Sequence, residues 1–287
     1  MINLIEMSSN CKIIVCCHKD VFKVSTPPYF PIQVGKDLSI QDIGIMGDNT
    51  GDNISLKNRS YCELTGLYWA WRNLKDVDVI GLCHYRRYFD FHKQCLSILP
   101  YTKFESEQLD KLDFSVPDSL IRAVVKGKVV APKVMNNVGS LYNEYCITHN
   151  SEDIRTLEEV VKEKSGLDYI RSFNKVMYLT HKPMCYNMFI MSWKDFDKYC
   201  SWLFAILEEV ENRIDISNYN PVQQRVFGYM AERLFNVFVE AEHKKVIHKP
   251  LIFIMDEPNG SKFNYTIKSV LNDVSFFLST LYLRFSK

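Results

Sequence analysis

Three groups of polar residues in this sequence have the types and spacing to do chemistry. The first is His84-Tyr85-Arg86-Arg87, which follows the apolar run DVIGLC at 78–83. Two adjacent guanidiniums at the end of a buried strand can clamp phosphate oxygens by paired hydrogen bonds, and His84 can add a donor or a metal ligand. The second is DNTGDNIS at 48–55, where Asp48, Asn49, Asp52 and Asn53 offer acceptors and donors of the kind that read ribose or sugar hydroxyls. The same residue types also make ordinary tight turns. The third lies beyond Asn220-Pro221, a helix start, where Arg225, Gly228 and Glu232 fall at i, i+3 and i+7. There an arginine and a glutamate flank a glycine gap that a ligand or another backbone can approach. A cation clamp, hydroxyl readers and a carboxylate base are together what transfer of a glycosyl group from a nucleotide diphosphate requires. On this reading Arg86, Arg87 and Glu232 do the chemistry. His18, Asp48, Asn49, Asp52, Asn53, His84, Tyr85 and Arg225 bind the donor.

Each group has a plainer alternative. One arginine of the pair can be solvated and the other bound to a structural carboxylate, and Glu232 can serve only as an ion-pair partner to a neighbouring arginine. Asp76 and Asp78 form an Asp-x-Asp, but they precede the apolar part of the strand, opposite the expected cleft, and read as turn residues. No metal is therefore expected to be required, although manganese or magnesium is compatible with the chemistry. Cys16-Cys17-His18 is not a metal triplet, because adjacent strand residues point to opposite faces. The sequence has no G-x-S-x-G elbow, no G-x-G-x-x-G and no Walker loop, so hydrolase, dehydrogenase and kinase readings fall away.

The elements that must carry these residues follow from the pattern. KIIVCC at 12–17 and DVIGLC read as buried parallel strands, and His18 sits where the first one ends. VVAPK at 129–133 and the end of HKPMCYNMFIM at 181–191 read as further strands. Helices are expected from about 59 to 74, twice over 139–164 with Ser151 capping the second, from Ser192 onward, and from Pro221 onward. In an open α/β sheet the ligand crevice lies outside the C-terminal strand ends. Lys plus Arg number 35 against 34 Asp plus Glu, so no global field favours nucleic acid. The 9 cysteines show no C-x-x-C pair and read as reduced thiols of a cytoplasmic protein, with no signal peptide expected.

KIIVCCHKD, DNTGDNISLKN, YCELTGLYWAWRN, IGLCHYRRYF, CYNMFIM and RVFGYMAERL occur in order between about residues 11 and 240. Together they resemble a family of bacterial capsular and exopolysaccharide biosynthesis proteins, long classed as a domain of unknown function and marked by DNxGDNIS and HYRRYF. The resemblance implies an α/β, GT-A-like (Rossmann-related) fold, with a mostly parallel sheet flanked by helices and a helical C-terminal annex. It implies a glycosyltransferase using a nucleotide-sugar donor, a UDP-sugar, with some members associated with galactofuranose. It points to His84, Tyr85, Arg86 and Arg87, to Asp48, Asn49, Gly51, Asp52 and Asn53, and to Arg225, Glu232 and Arg233. Inverting transfer to an oligosaccharide or lipid-linked glycan is the favoured reaction; a non-catalytic glycan-binding or scaffold protein is the alternative. A transferase domain is expected over 1–245 and an extension over 246–287. The extension's apolar stripe, Ile267 to Phe285, suits packing on the core, a second subunit or the inner face of the membrane.

Overall fold

The computed structural model describes residues 9–20, 23–92, 100–104, 109, 111–254, 272, 273 and 276. Cys11–Cys17 (β1) and Val79–His84 (β3) run parallel, in register from Cys11↔Val79 to Cys16↔His84. Their side chains alternate between faces. Ile14, Cys16, Ile80 and Leu82 enter one core, while Ile13, Val15, Val79 and Cys83 enter the other. Strands covered on both sides must be apolar at nearly every position, which is why both read as unbroken hydrophobic runs.

Tyr29–Gln33 (β2) adds in parallel to β1. On the other side of β3 come Phe189–Ser192 (β7), antiparallel, then Val129–Pro132 (β6), and Val246–Lys249 (β8) parallel to β6. A ribbon branches from the end of β3: Arg87–Phe89 (β4), Leu251–Ile254 (β9) and Tyr101–Phe104 (β5). The described residues thus build one 9-stranded sheet. Parallel ladders carry most of its paired residues, and the antiparallel β7 at its centre makes it mixed.

Helices lie on both faces. Asn58–Tyr61 (α1), Leu64–Asn73 (α2), Leu141–Thr148 (α4), Ser151–Lys164 (α5), Leu167–Leu179 (α6), Trp193–Glu211 (α7) and Val226–Ala241 (α8) cover one core, and Asp118–Val125 (α3) packs on the other. The single helix expected over 59–74 is broken in two at Cys62, whose φ of 53° no helix accommodates. Asn150, rather than Ser151, caps α5, accepting from the Glu152 amide. Ser192 caps α7 as its sequence suggests. Asn220 does accept from the Val222 and Gln223 amides, but a 3-10 turn over Gln223–Arg225 intervenes before α8 begins.

β8 and β9 lie past the boundary expected at 245, and both are strands of the central sheet. The amphipathic tail helix and its suggested membrane or subunit contact fall outside the described residues except at Asn272, Asp273 and Phe276. Asp273 accepts from His181 Nε2 (2.7 Å) and Lys182 Nζ (2.8 Å), and Phe276 stacks on the His181 ring. No helix among the described residues is long and apolar enough to cross a membrane.

Candidate functional site

Because β1 and β3 are parallel, both release their C-terminal residues at one sheet edge, where a cleft of about 910 Å³ opens. β1 ends toward His18. β3 ends in His84 and turns through Tyr85 and Arg86 into β4, which begins at Arg87. Tyr85 is buried; its amide donates to the Cys16 carbonyl (3.1 Å), and its hydroxyl meets His18 Nε2 (3.3 Å) with the rings edge to face. The Arg86 guanidinium lies over the Tyr85 ring (5.3 Å), and that of Arg87 lies against both Tyr186 (4.8 Å) and Phe253 (5.4 Å). An aromatic ring beside a guanidinium attracts its charge and restrains its position at the cleft.

The facing wall comes from the corner between α1 and α2 and from the start of α8. It brings Arg59, Cys62, Glu63, Arg225 and Glu232 to the cleft. Arg225 Nε donates to Cys62 Sγ (3.4 Å), and its guanidinium lies over Tyr229. The gap at Gly228 is filled by Cys62: a Cβ added there would meet the sulfur at 3.3 Å. The expected close approach is therefore made by the chain itself.

Electrostatics sort these groups. His84 Nε2 lies 2.7 Å from the Tyr186 carbonyl oxygen, a pure acceptor, so that nitrogen carries the proton. Burial lowers the His84 pKa and nearby Arg87 adds to the effect, keeping the ring neutral. His84 thus supports backbone with one nitrogen and offers the other as an acceptor. Partial burial and the cations Lys19 and Arg86 likewise hold His18 below its usual range. Glu232 accepts the Tyr186 N–H at Oε1 (2.9 Å). Its Oε2 is 3.6 Å from Arg233, but Arg233 is buried, pairs with Glu144 and donates to the Tyr229 carbonyl. Burial pushes the Glu232 carboxyl above the ordinary glutamate range; Arg233 opposes this, while Glu63 reinforces it. Such a carboxylate is a stronger proton acceptor than a solvated one.

The cleft therefore gathers His18, His84, Tyr85, Arg86, Arg87, Arg225 and Glu232 from the expected set. It does not gather Asp48, Asn49, Asp52 or Asn53, each of which makes contacts elsewhere. Asp48 is fully buried and accepts from the Gly35 (2.8 Å) and Lys36 (3.1 Å) amides and the Ser55 hydroxyl. Asn49 donates to Asp37, Asp52 pairs with Arg72 (2.6 Å), and Asn53 spans its own turn between Gly51 and Ser55. These contacts fix the loop that leads into α1, away from the residues that line the cleft. Arg59 and Glu63 are cleft residues that helix periodicity assigned only to a helix, because nothing in the apolar pattern announces the break at Cys62. Asp76, with φ 54°, and Asp78, which accepts from the Asn10 amide, sit at the opposite end of β3. Among the described residues no three His, Cys, Asp or Glu side chains are grouped to hold a metal ion.

The sequence profile of a family described as a domain of unknown function, DUF4422, matches residues 12–245. Among solved structures, the apo structure of WbbM, a bifunctional glycosyltransferase, resembles this chain with a TM-score of 0.77 and 30% sequence identity. The likeness covers 85% of this chain and 45% of that one, so the chain spans less than half of that protein's length. No curated protein matches the sequence. The shared architecture is a GT-A-like fold.

Proposed function

This chain belongs to the DUF4422 family, and from that premise we propose that it is a glycosyltransferase moving a sugar from a nucleotide diphosphate donor to a glycan acceptor. The observation that carries the reading is one cleft, at the C-terminal ends of parallel β1 and β3, that joins Arg59, Arg86, Arg87 and Arg225 to the carboxylate of Glu232. Cations meet the departing diphosphate, and the carboxylate meets the acceptor. The likeness to WbbM, a bifunctional glycosyltransferase, supports the same class.

In the mechanism we favour, an acceptor hydroxyl attacks the anomeric carbon as the bond to the diphosphate oxygen breaks. Glu232 takes the hydroxyl proton, the arginines stabilise the charge gained by the leaving group, and the anomeric configuration inverts. The residues that meet the diphosphate are guanidiniums, so we expect turnover without added manganese or magnesium. The donor is a UDP-sugar, with UDP-galactofuranose the first to try. The acceptor is an oligosaccharide or lipid-linked glycan of capsule, exopolysaccharide or O-antigen synthesis, met in the cytoplasm at the inner membrane face. The test is UDP release from a panel of UDP-sugars with glycan acceptors, with and without EDTA. Sugar transfer that survives EDTA is the expected result. Glycan binding with no UDP release from any donor would instead identify a catalytically idle binding protein.

A further inference from the structure

Two consecutive residues ahead of β7, Tyr186 (φ 75°) and Asn187 (φ 51°), lie in the left-handed region. Side chains other than glycine adopt it at a cost, and asparagine tolerates it better than tyrosine. An adjacent pair persists only where its surroundings hold it. Here the surroundings are the cleft. The Tyr186 N–H donates to Glu232 Oε1 (2.9 Å), its carbonyl accepts from His84 Nε2 (2.7 Å), and its ring backs the Arg87 guanidinium (4.8 Å). Asn187, 3% exposed, donates its side-chain amide to Glu63 Oε1 (2.7 Å) and to the Gly228 carbonyl (3.1 Å). Both partners are acceptors only, so the amide can face one way. Its own oxygen is buried and meets no hydrogen-bond partner among the described residues. The side chain therefore acts through its nitrogen alone.

What it holds is a second cleft carboxylate. Glu63 opens α2 and lines the cleft, half-buried. Asn187 engages its Oε1, and among the described residues no hydrogen bond or ion pair reaches its Oε2. A carboxylate repels a diphosphate, so the portion of substrate that it faces must be rich in donors, as sugar hydroxyls are. Resting on the transferase reading, we infer that Glu63 receives hydroxyl hydrogen bonds from the transferred sugar, and that Asn187 is the positioning residue that aims it.

Calorimetry with UDP alone and with UDP-galactofuranose, UDP-galactose and UDP-glucose tests this, alongside donor KM and inhibition by UDP. Glu63→Gln keeps the side-chain shape and still accepts from Asn187, so it should fold. It should weaken the preferred UDP-sugar, and raise its KM, by about tenfold while leaving UDP affinity within about twofold, as expected for one lost charged hydrogen bond. Asn187→Gly relieves the left-handed backbone and removes the amide; it should give the same split. The double variant should then be no worse than either single, because the two residues act as one unit. Equal weakening of UDP and UDP-sugar, an additive double variant, or lost turnover with unchanged UDP-sugar binding would overturn the assignment. A wild-type chain that binds no UDP-sugar overturns the transferase reading and this inference with it.

Discussion

The Arg87 guanidinium rests against two adjoining aromatic rings, Tyr186 and Phe253, so its charge is held in place before any ligand arrives. Arg87→Ala should weaken UDP binding roughly ten- to a hundredfold, the worth of a charged hydrogen-bonded pair, and Arg87→Lys should recover only part of it. Calorimetry that finds UDP affinity unchanged in Arg87→Ala would place the diphosphate elsewhere. Glu232 makes an opposite kind of prediction. Its carboxyl titrates above the ordinary 4.5, chiefly through burial, so the acid limb of kcat/KM should lie above that value and vanish with the rate in Glu232→Gln. The stability effect has the reverse sign. A carboxyl with a raised folded pKa binds more protons folded than unfolded, so its contribution is present at low pH and lost as pH rises through that pKa. Glu232→Gln should therefore raise the melting temperature at neutral pH while it removes activity. Arg86, Arg87, Arg225 and Glu232 were legible because a strand end and a helix face follow from spacing. Glu63 and Asn187 were not, because their placement depends on left-handed backbone at Cys62 and at Tyr186–Asn187, which leaves no periodic trace.

Between elements, α2 packs tightly against the edge of the sheet. A Cβ at Gly66 would meet Val34 Cγ1 at 2.8 Å and Cys16 Sγ at 3.1 Å. Gly66→Ala should cost about 1–3 kcal/mol of stability, read as a lower unfolding midpoint. It should also reduce turnover, since α2 carries Glu63. Asp48→Ala acts on the loop ahead of α1, where a buried carboxylate ties two amides and a hydroxyl; about 3 kcal/mol should be lost. UDP affinity of the folded fraction should stay near wild type, and a specific loss of UDP binding would return this loop to the donor site. Sequence alone reached the turn character of 48–55 but could not separate turn-making from hydroxyl-reading, since both use Asn, Asp and Gly. Long strands with two buried faces and amphipathic helices were readable. α6 lies outside the expected helices, yet Phe173, Val176 and Met177 give it a stripe of the same kind, so its residues are no more ambiguous than theirs. β6 and β7 are as short but almost wholly buried, and read as apolar runs, whereas β2, β4, β5, β8 and β9 each include partly exposed positions in 3 to 5 residues, which leaves neither an unbroken apolar run nor a long alternation.

Across the whole molecule, the sheet extends past the family match that ends at residue 245. β8 completes the edge beyond β6, and β9 sits between β4 and β5. A chain stopped at 245 should therefore lose cooperative unfolding, while one stopped at 254 should retain it; circular dichroism melts of the two would decide. Equal cooperativity in both would show that the last two strands add nothing to the fold. The pairing of Arg87 with Phe253 has a further consequence, for the chain as it is made. Roughly ten to thirty seconds of synthesis separate the two residues at about 5–20 residues per second. Throughout that interval the nascent polypeptide carries its arginines without the strand that fixes one of them. On the proposed function, an interrupted translation product would leave the ribosome inert, unable to spend sugar nucleotide on the wrong acceptor.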